Sequence, residues 1–164
     1  MTAAAVDAAA AWLGATPLSH ALREQLWLYP LVETAHIVGF AVLVGAVALF
    51  DLRVLGCAPT LPVRALGRHL LRWSLGSMLL VAPAGLLLFS AQPAEFLSNR
   101  VFLLKLALLA AAGLNAALFH AGVYRTAAAW DVARPAPPLA RAQAALSLLL
   151  WVAVIACGRL LAYV

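Results

Sequence analysis

A chain of 164 residues that is 66% hydrophobic and only 10% charged cannot clothe a water-facing surface, because a soluble domain carries about 25% charge. With a mean hydropathy of +1.00, the larger part of its solvent is lipid. The formal net charge of +5 comes from arginines placed between apolar runs rather than gathered with aromatics in a patch, which argues against nucleic acid as a partner. Only helices and closed barrels satisfy their backbone polar groups in lipid, and the Leu/Ala runs here lack the alternation of a barrel strand. The expected fold is all-α: a transmembrane four-helix bundle, antiparallel and up-down, over residues 30–164. A segment of residues 1–29 with a short interfacial amphipathic helix precedes it.

Residues 1–15 are Ala-rich with Asp7, and no basic leader or cleavage site marks them as a signal peptide. Between Thr16 and Tyr29 the pattern changes. Thr16 suits a cap, Pro17 a first helical position, and Leu18, Leu22 and Leu26 share a face. His20, Arg23 and Glu24 fall off that face, and Trp12, Trp27 and Tyr29 are the aromatics of a membrane interface. The first span is expected at about 31–50, turning into the membrane at Pro30. The second is expected at about 69–90 with Pro83 kinking it, the third at 101–122 and the fourth at 142–163. The connectors are short and carry Pro59, Pro62, Pro93, Pro135, Pro137 and Pro138, which makes sequential spans antiparallel neighbours.

Arg53, Arg64, Arg68, Arg72, Arg125, Arg134 and Arg141 flank the first and third connectors, against Arg23, Arg100, Lys105 and Arg159 on the other side. By the positive-inside rule both termini lie outside. Cys57 and Cys157 then fall near opposite faces, so no disulfide is expected between them.

Ionisable groups within a span cost about 2.5–3.5 kcal/mol each on insertion scales, so those present ask for a reason. They form two bands. The outer band holds Glu33 and His36 on span one, Lys105 on span three and Arg159 on span four. The inner band holds His69 and Arg72 at the start of span two, with His120 and Arg125 at the end of span three. His69 and His120 are matched in depth on spans expected to be neighbours. Neutral imidazole is an axial ligand to haem iron, and Arg or Lys suits the propionates. Gly39, Gly45, Gly76 and Gly113 near the histidines would let a flat macrocycle approach. The expectation is one or two haem b groups. His69 and His120 would ligate an inner haem beside Arg72, and His36 an outer one beside Lys105 and Arg159.

Plainer explanations stand beside each residue. A histidine near the interface is accounted for by hydration, Lys105 and Arg159 by snorkelling, the glycines by helix packing, and Asn115 by one helix–helix hydrogen bond. His20 reads as a surface residue. No C-x-x-C, H-E-x-x-H, P-loop or G-x-S-x-G pattern occurs, and methionine is confined to Met1 and Met78, which weakens a soft-metal copper pathway.

The stretch Tyr29-Pro30-Leu31-Val32-Glu33-Thr34-Ala35-His36, followed by Gly39, Gly45 and Asp51-Leu52-Arg53, resembles an uncharacterised family of small bacterial four-helix membrane proteins. The stretch from Arg68 to Gly85, and then Phe102-Leu103-Leu104-Lys105-Leu106 through Asn115, is similar to the CopD-type domain of copper-resistance membrane proteins. It is also similar to HemJ-type protoporphyrinogen oxidases. The resemblance covers roughly residues 26–163 and implies the inner membrane of a bacterium. In HemJ-type enzymes a first-helix histidine and a third-helix lysine are linked to haem binding and activity, which implies those roles for His36 and Lys105. His69 and His120 depart from that family.

Four functions follow as expectations, with enzymatic activity left open. The first is a haem-b protein in electron transfer or a membrane redox reaction, with a redox partner or a quinone-like or porphyrin-like small molecule. The others are a HemJ-like porphyrinogen oxidase, a CopD-like copper-handling protein, and a cofactor-free membrane subunit or scaffold. A homodimer is compatible with all four.

Overall fold

The computed structural model describes residues 3–163, and every regular element among them is helical. The elements are α1 (Ala3–Gly14), α2 (Pro17–Glu24), α3 (Leu28–Leu55), α4 (Val63–Ala91), α5 (Pro93–Ser98) and α6 (Arg100–Ala121). A 3-10 helix (Val123–Trp130) and α7 (Pro138–Leu160) complete the chain. Four of these, α3, α4, α6 and α7, are long and apolar enough to cross a membrane. The expected transmembrane four-helix bundle is present.

Several boundaries differ from expectation. α3 begins before Pro30, which sits in its first turn, where a missing N–H costs nothing, so the chain does not turn in at Pro30. At 28 residues α3 is about 42 Å long, more than the ~30 Å of a hydrocarbon core. Its polar end, with Asp51 and Arg53, continues as helix beyond the apolar run. α4 likewise starts six residues earlier than hydropathy suggests, because helix persists through Arg64 and Arg68. α1 was not expected. Its alanines have the highest helix propensity and carry no periodic signal by which the helix could be read.

α2 forms as its caps dictate: the Thr16 hydroxyl accepts from Ser19 N at 3.3 Å, and Pro17 opens the helix. Its buried face is not the expected one. Ser19 and Leu22 are buried, while Leu18 and Leu26 are exposed, and Leu26 lies past the end of the helix. Ser19 Oγ donates to Ser90 O and Arg23 to Ala91 O, so α2 is seated on the end of α4 as well as facing outward. Exposed Trp12 and Trp27 keep the interfacial character of this end.

The spans pack in the order α4, α3, α7, α6. α3 and α4 make the most intimate pair. Buried residues recur on α4 at a spacing of seven, Gly67, Ser74 and Val81 in one row and Ser77, Ala84 and Ala91 in the other. Gly39, Leu43 and Ala46 of α3 form the facing seam. A Cβ on Gly39 would stand 2.9 Å from Val81 Cγ2.

Spans two and three, α4 and α6, are not packed neighbours as the short connector implied. No Cα of α4 lies within 8 Å of one of α6 among the described residues. The connector is itself helical, as α5. The rings of Phe89, Phe96 and Phe102 fill the gap at that end, with Phe89 stacked on Phe102 at 5.7 Å between centroids. Asn99 caps α6 by accepting from Val101 N and Phe102 N.

At the other end the two long connectors close over an apolar cluster of Val54, Val63, Phe119, Ala127, Trp130, Ala136, Ala140 and Ala144. Arg53, only 3% exposed, ties them together by donating to the carbonyls of Leu61, Pro59 and Asp131. Asp131 in turn accepts from Arg64 N at 2.8 Å, capping α4 from a distant segment. Both cysteines are free, Cys57 exposed and Cys157 buried.

The Gly39 seam can be measured by thermal unfolding in detergent. Gly39→Ala is expected to destabilise the protein by about 1–3 kcal/mol through overpacking. Gly45→Ala, whose Cβ would meet nothing within 4 Å, is expected to be neutral or slightly stabilising.

Candidate functional site

His36 lies one turn before the end of the α3 seam, where α4 carries Gly85 and Pro83. Its ring is half-buried, and Nδ1 is 3.0 Å from Val81 O. A carbonyl only accepts, so Nδ1 carries the proton and donates it, leaving the lone pair on Nε2. Val81 is two residues before Pro83, in the stretch of α4 where a proline interrupts the helical ladder. Gly85 makes the approach possible, because a Cβ there would stand 3.0 Å from His36 Cε1. Phe40 stacks one turn below His36, and Trp151 of α7 meets Phe40 edge-on at 5.7 Å.

Lys105 comes to the same region from α6. Its side chain, half-buried, crosses Gly158 of α7, where a Cβ would be 3.6 Å from Nζ. His36 lies within electrostatic reach of both Lys105 and Glu33. Residues of all four spans thus contribute to the outer band: His36, Gly85, Lys105, and Trp151 with Gly158. Arg159 belongs to it less directly. It is exposed, donates to the Tyr163 hydroxyl and lies 4.8 Å over that ring.

The inner band is not assembled in the same way. His69, Arg72 and His120 are all exposed. His120 Nδ1 donates to Ala116 O of its own helix at 2.9 Å, and its ring touches Phe119 and Tyr124. His69 and His120 stand on helices whose Cα atoms stay more than 8 Å apart. His20 is a surface residue 3.6 Å from Glu24. Of the glycines near the histidines, Gly39 is consumed by helix packing, whereas Gly45, Gly76 and Gly113 face open space.

A second polar group was missed in the sequence. Asp51 of α3 is only 6% exposed and bonds Ser147 of α7, and its Oδ2 has no partner. Gln143, one turn before Ser147, also has a buried, unpaired Oε1. Asn115 of α6 donates to Gln143 O at 3.0 Å, the interhelical bond expected of it. Asp51 falls just past the expected first span of 31–50, and only its place on the α3–α7 face reveals the burial.

Among the described residues no three His, Cys, Asp or Glu side chains converge as a metal site. A copper ion would ask several such ligands of the protein, whereas a haem iron, held by its porphyrin, needs one histidine. No protein-family model matches the chain, and no match was found among curated proteins or solved structures.

Asn115→Leu removes a donor that holds α6 to α7. It is expected to lower stability by about 0.6–2 kcal/mol in detergent unfolding, the range found for interhelical hydrogen bonds.

Proposed function

We propose that the protein is a haem-b-binding membrane protein of the bacterial inner membrane, acting in electron transfer or a membrane redox reaction, with His36 as the axial ligand. One observation carries this reading: the Nδ1–H of His36 is committed to a backbone carbonyl while Nε2 finds no partner among the described residues. A carbonyl partner on the far nitrogen fixes tautomer and ring orientation and raises ligand basicity, as it does for metal-bound histidines generally. The residues present fit the group. Gly85 gives the imidazole room, and Phe40 and Trp151 offer apolar surface to a macrocycle. Lys105 offers a cation for a propionate or for an acidic substrate.

When bound, haem supplies one-electron redox chemistry. The protein's part would be to offer His36 Nε2 to the group, to keep the imidazole from turning through its bond to Val81 O, and to supply the positive charge of Lys105 within electrostatic reach. The resemblance of His36 and Lys105 to the histidine and lysine of HemJ-type enzymes supports the same pair, with a porphyrinogen-like reductant as substrate in place of a redox partner. An inner haem between His69 and His120 has thinner support, since both rings are exposed. The excess of basic residues on the 51–72 and 123–141 segments argues for those faces inside and both termini outside.

Absorption spectra of the purified protein, oxidised and dithionite-reduced, test the proposal, with haem quantified as its pyridine complex. About one haem per chain is expected, lost or changed in spectrum in His36→Ala and retained in His69→Ala and His120→Ala. A colourless protein from haem-replete cells, or a His36→Ala spectrum like that of the parent, would overturn it.

A further inference from the structure

Asp51 is an acid in the wrong place for an ion. It lies in the last turn but one of α3, 6% exposed, against α7. The Ser147 hydroxyl lies beside the carboxyl, and Oδ2 has no partner among the described residues. No cation faces it. Arg53, two residues on, spends its guanidinium on the carbonyls of Leu61, Pro59 and Asp131. Arg64, Arg68, His69 and Arg72 of α4 and Arg141 of α7 are exposed. An isolated carboxylate in an apolar interior is so costly that such a group takes up a proton instead.

Gln143 shows the complementary defect. Its Oε1 is a buried acceptor without a donor, one helical turn from Ser147 on the same face of α7. A single hydrogen on the carboxyl would give these two orphaned acceptors a partner in each other.

We propose that Asp51 is a buried proton-binding site at the connector end of the bundle: its carboxyl carries a proton on Oδ2 and donates it to the side-chain oxygen of Gln143. Release is simple dissociation, the carboxylic acid giving a carboxylate and a proton that passes to water at the connector end. Ser147 remains bonded to the carboxyl in both forms, and Asn115 holds Gln143 in place through its backbone carbonyl. The site is independent of the haem reading, because none of its members touches His36.

Infrared spectra of the full chain in lipid vesicles at neutral pH test this. The expected result is a C=O stretch of a protonated carboxyl that moves to lower frequency in heavy water and is lost in Asp51→Asn. Gln143→Leu, which keeps the acid, is expected to move the band to higher frequency by removing its acceptor. It serves equally where the asparagine variant does not fold. Absence of the band would overturn the proposal, because Asp51 would then be ionised against a turned-over Gln143 amide or a sodium ion. Replacing sodium by choline distinguishes those two. A band that persists in Asp51→Asn, or is unmoved in Gln143→Leu, would overturn it as well.

Discussion

The close approach of α3 to α4 at Gly39 and Gly85 is the constraint on which the remaining arrangement depends. Lipid tails are as apolar as leucine, so no hydrophobic force gathers helices inside a bilayer, and close packing must do so. Gly39 lets the α3 backbone settle against Val81 and Leu80, and Gly85 admits the His36 ring. With one face of α3 taken by α4, its other face is left to α7, and among the spans α6 packs on α7 alone. The order α4, α3, α7, α6 follows, and with it the separation of α4 from α6 that the Phe89–Phe96–Phe102 rings bridge at one end. The same seam orients the imidazole, because the Val81 carbonyl that receives its proton belongs to the residue that packs on Gly39.

Two polar groups near the connector end are buried in different ways, and the contrast is informative. Arg53 is nearly inaccessible yet fully employed: three carbonyls of two connectors converge on it, and charge-assisted bonds to a guanidinium outweigh its desolvation. Removing it would leave the Leu61 carbonyl without its donor and untie the two connectors, although the carbonyls of Pro59 and Asp131 also accept from Ala133 N and Val63 N, so its role is to close the bundle. Asp51, two residues earlier on the same helix, points to α7 and is left half-satisfied. An acid kept with an empty lone pair in a membrane helix is the kind of residue for which function is the first hypothesis.

The bundle was legible in the sequence, because four runs near twenty apolar residues admit few other solutions in lipid. The α2 cap was legible too, since Thr16 and Pro17 act locally. What lay hidden depends on rotation about a helix axis. Depth along a span follows from counting residues, so His36 and Lys105 were placed in one band and His69 and His120 in another. Which way each side chain turns depends on which helices touch, and that was misjudged for α4 and α6. Connector length reports sequence proximity, while the spacing of two backbones is set by side chains such as Phe89 and Phe102. Asp51 and Gln143 escaped notice for a related reason. Each lies beside a span end as hydropathy draws it, and both spans continue as helix past those limits into the closed end of the bundle.

His36 and Asp51 stand on the same helix fifteen residues apart, about 22 Å along its axis. α3 is continuous between them and is locked by the Gly39–Leu43–Ala46 seam, so their separation is fixed by the fold. No proton passes directly over such a distance, and no side chain of one group reaches the other. Any influence of an electron at His36 on a proton at Asp51 must therefore travel through the field along α3 or through its packing on α7, which meets α3 at both levels through Trp151 and Ser147. Electrostatic influence over that distance is weak in water and stronger in a low-dielectric bundle. α7, which meets α3 beside Phe40 and beside Asp51 and packs on the Lys105-bearing α6, is the element through which coupling between the two proposed sites would have to run.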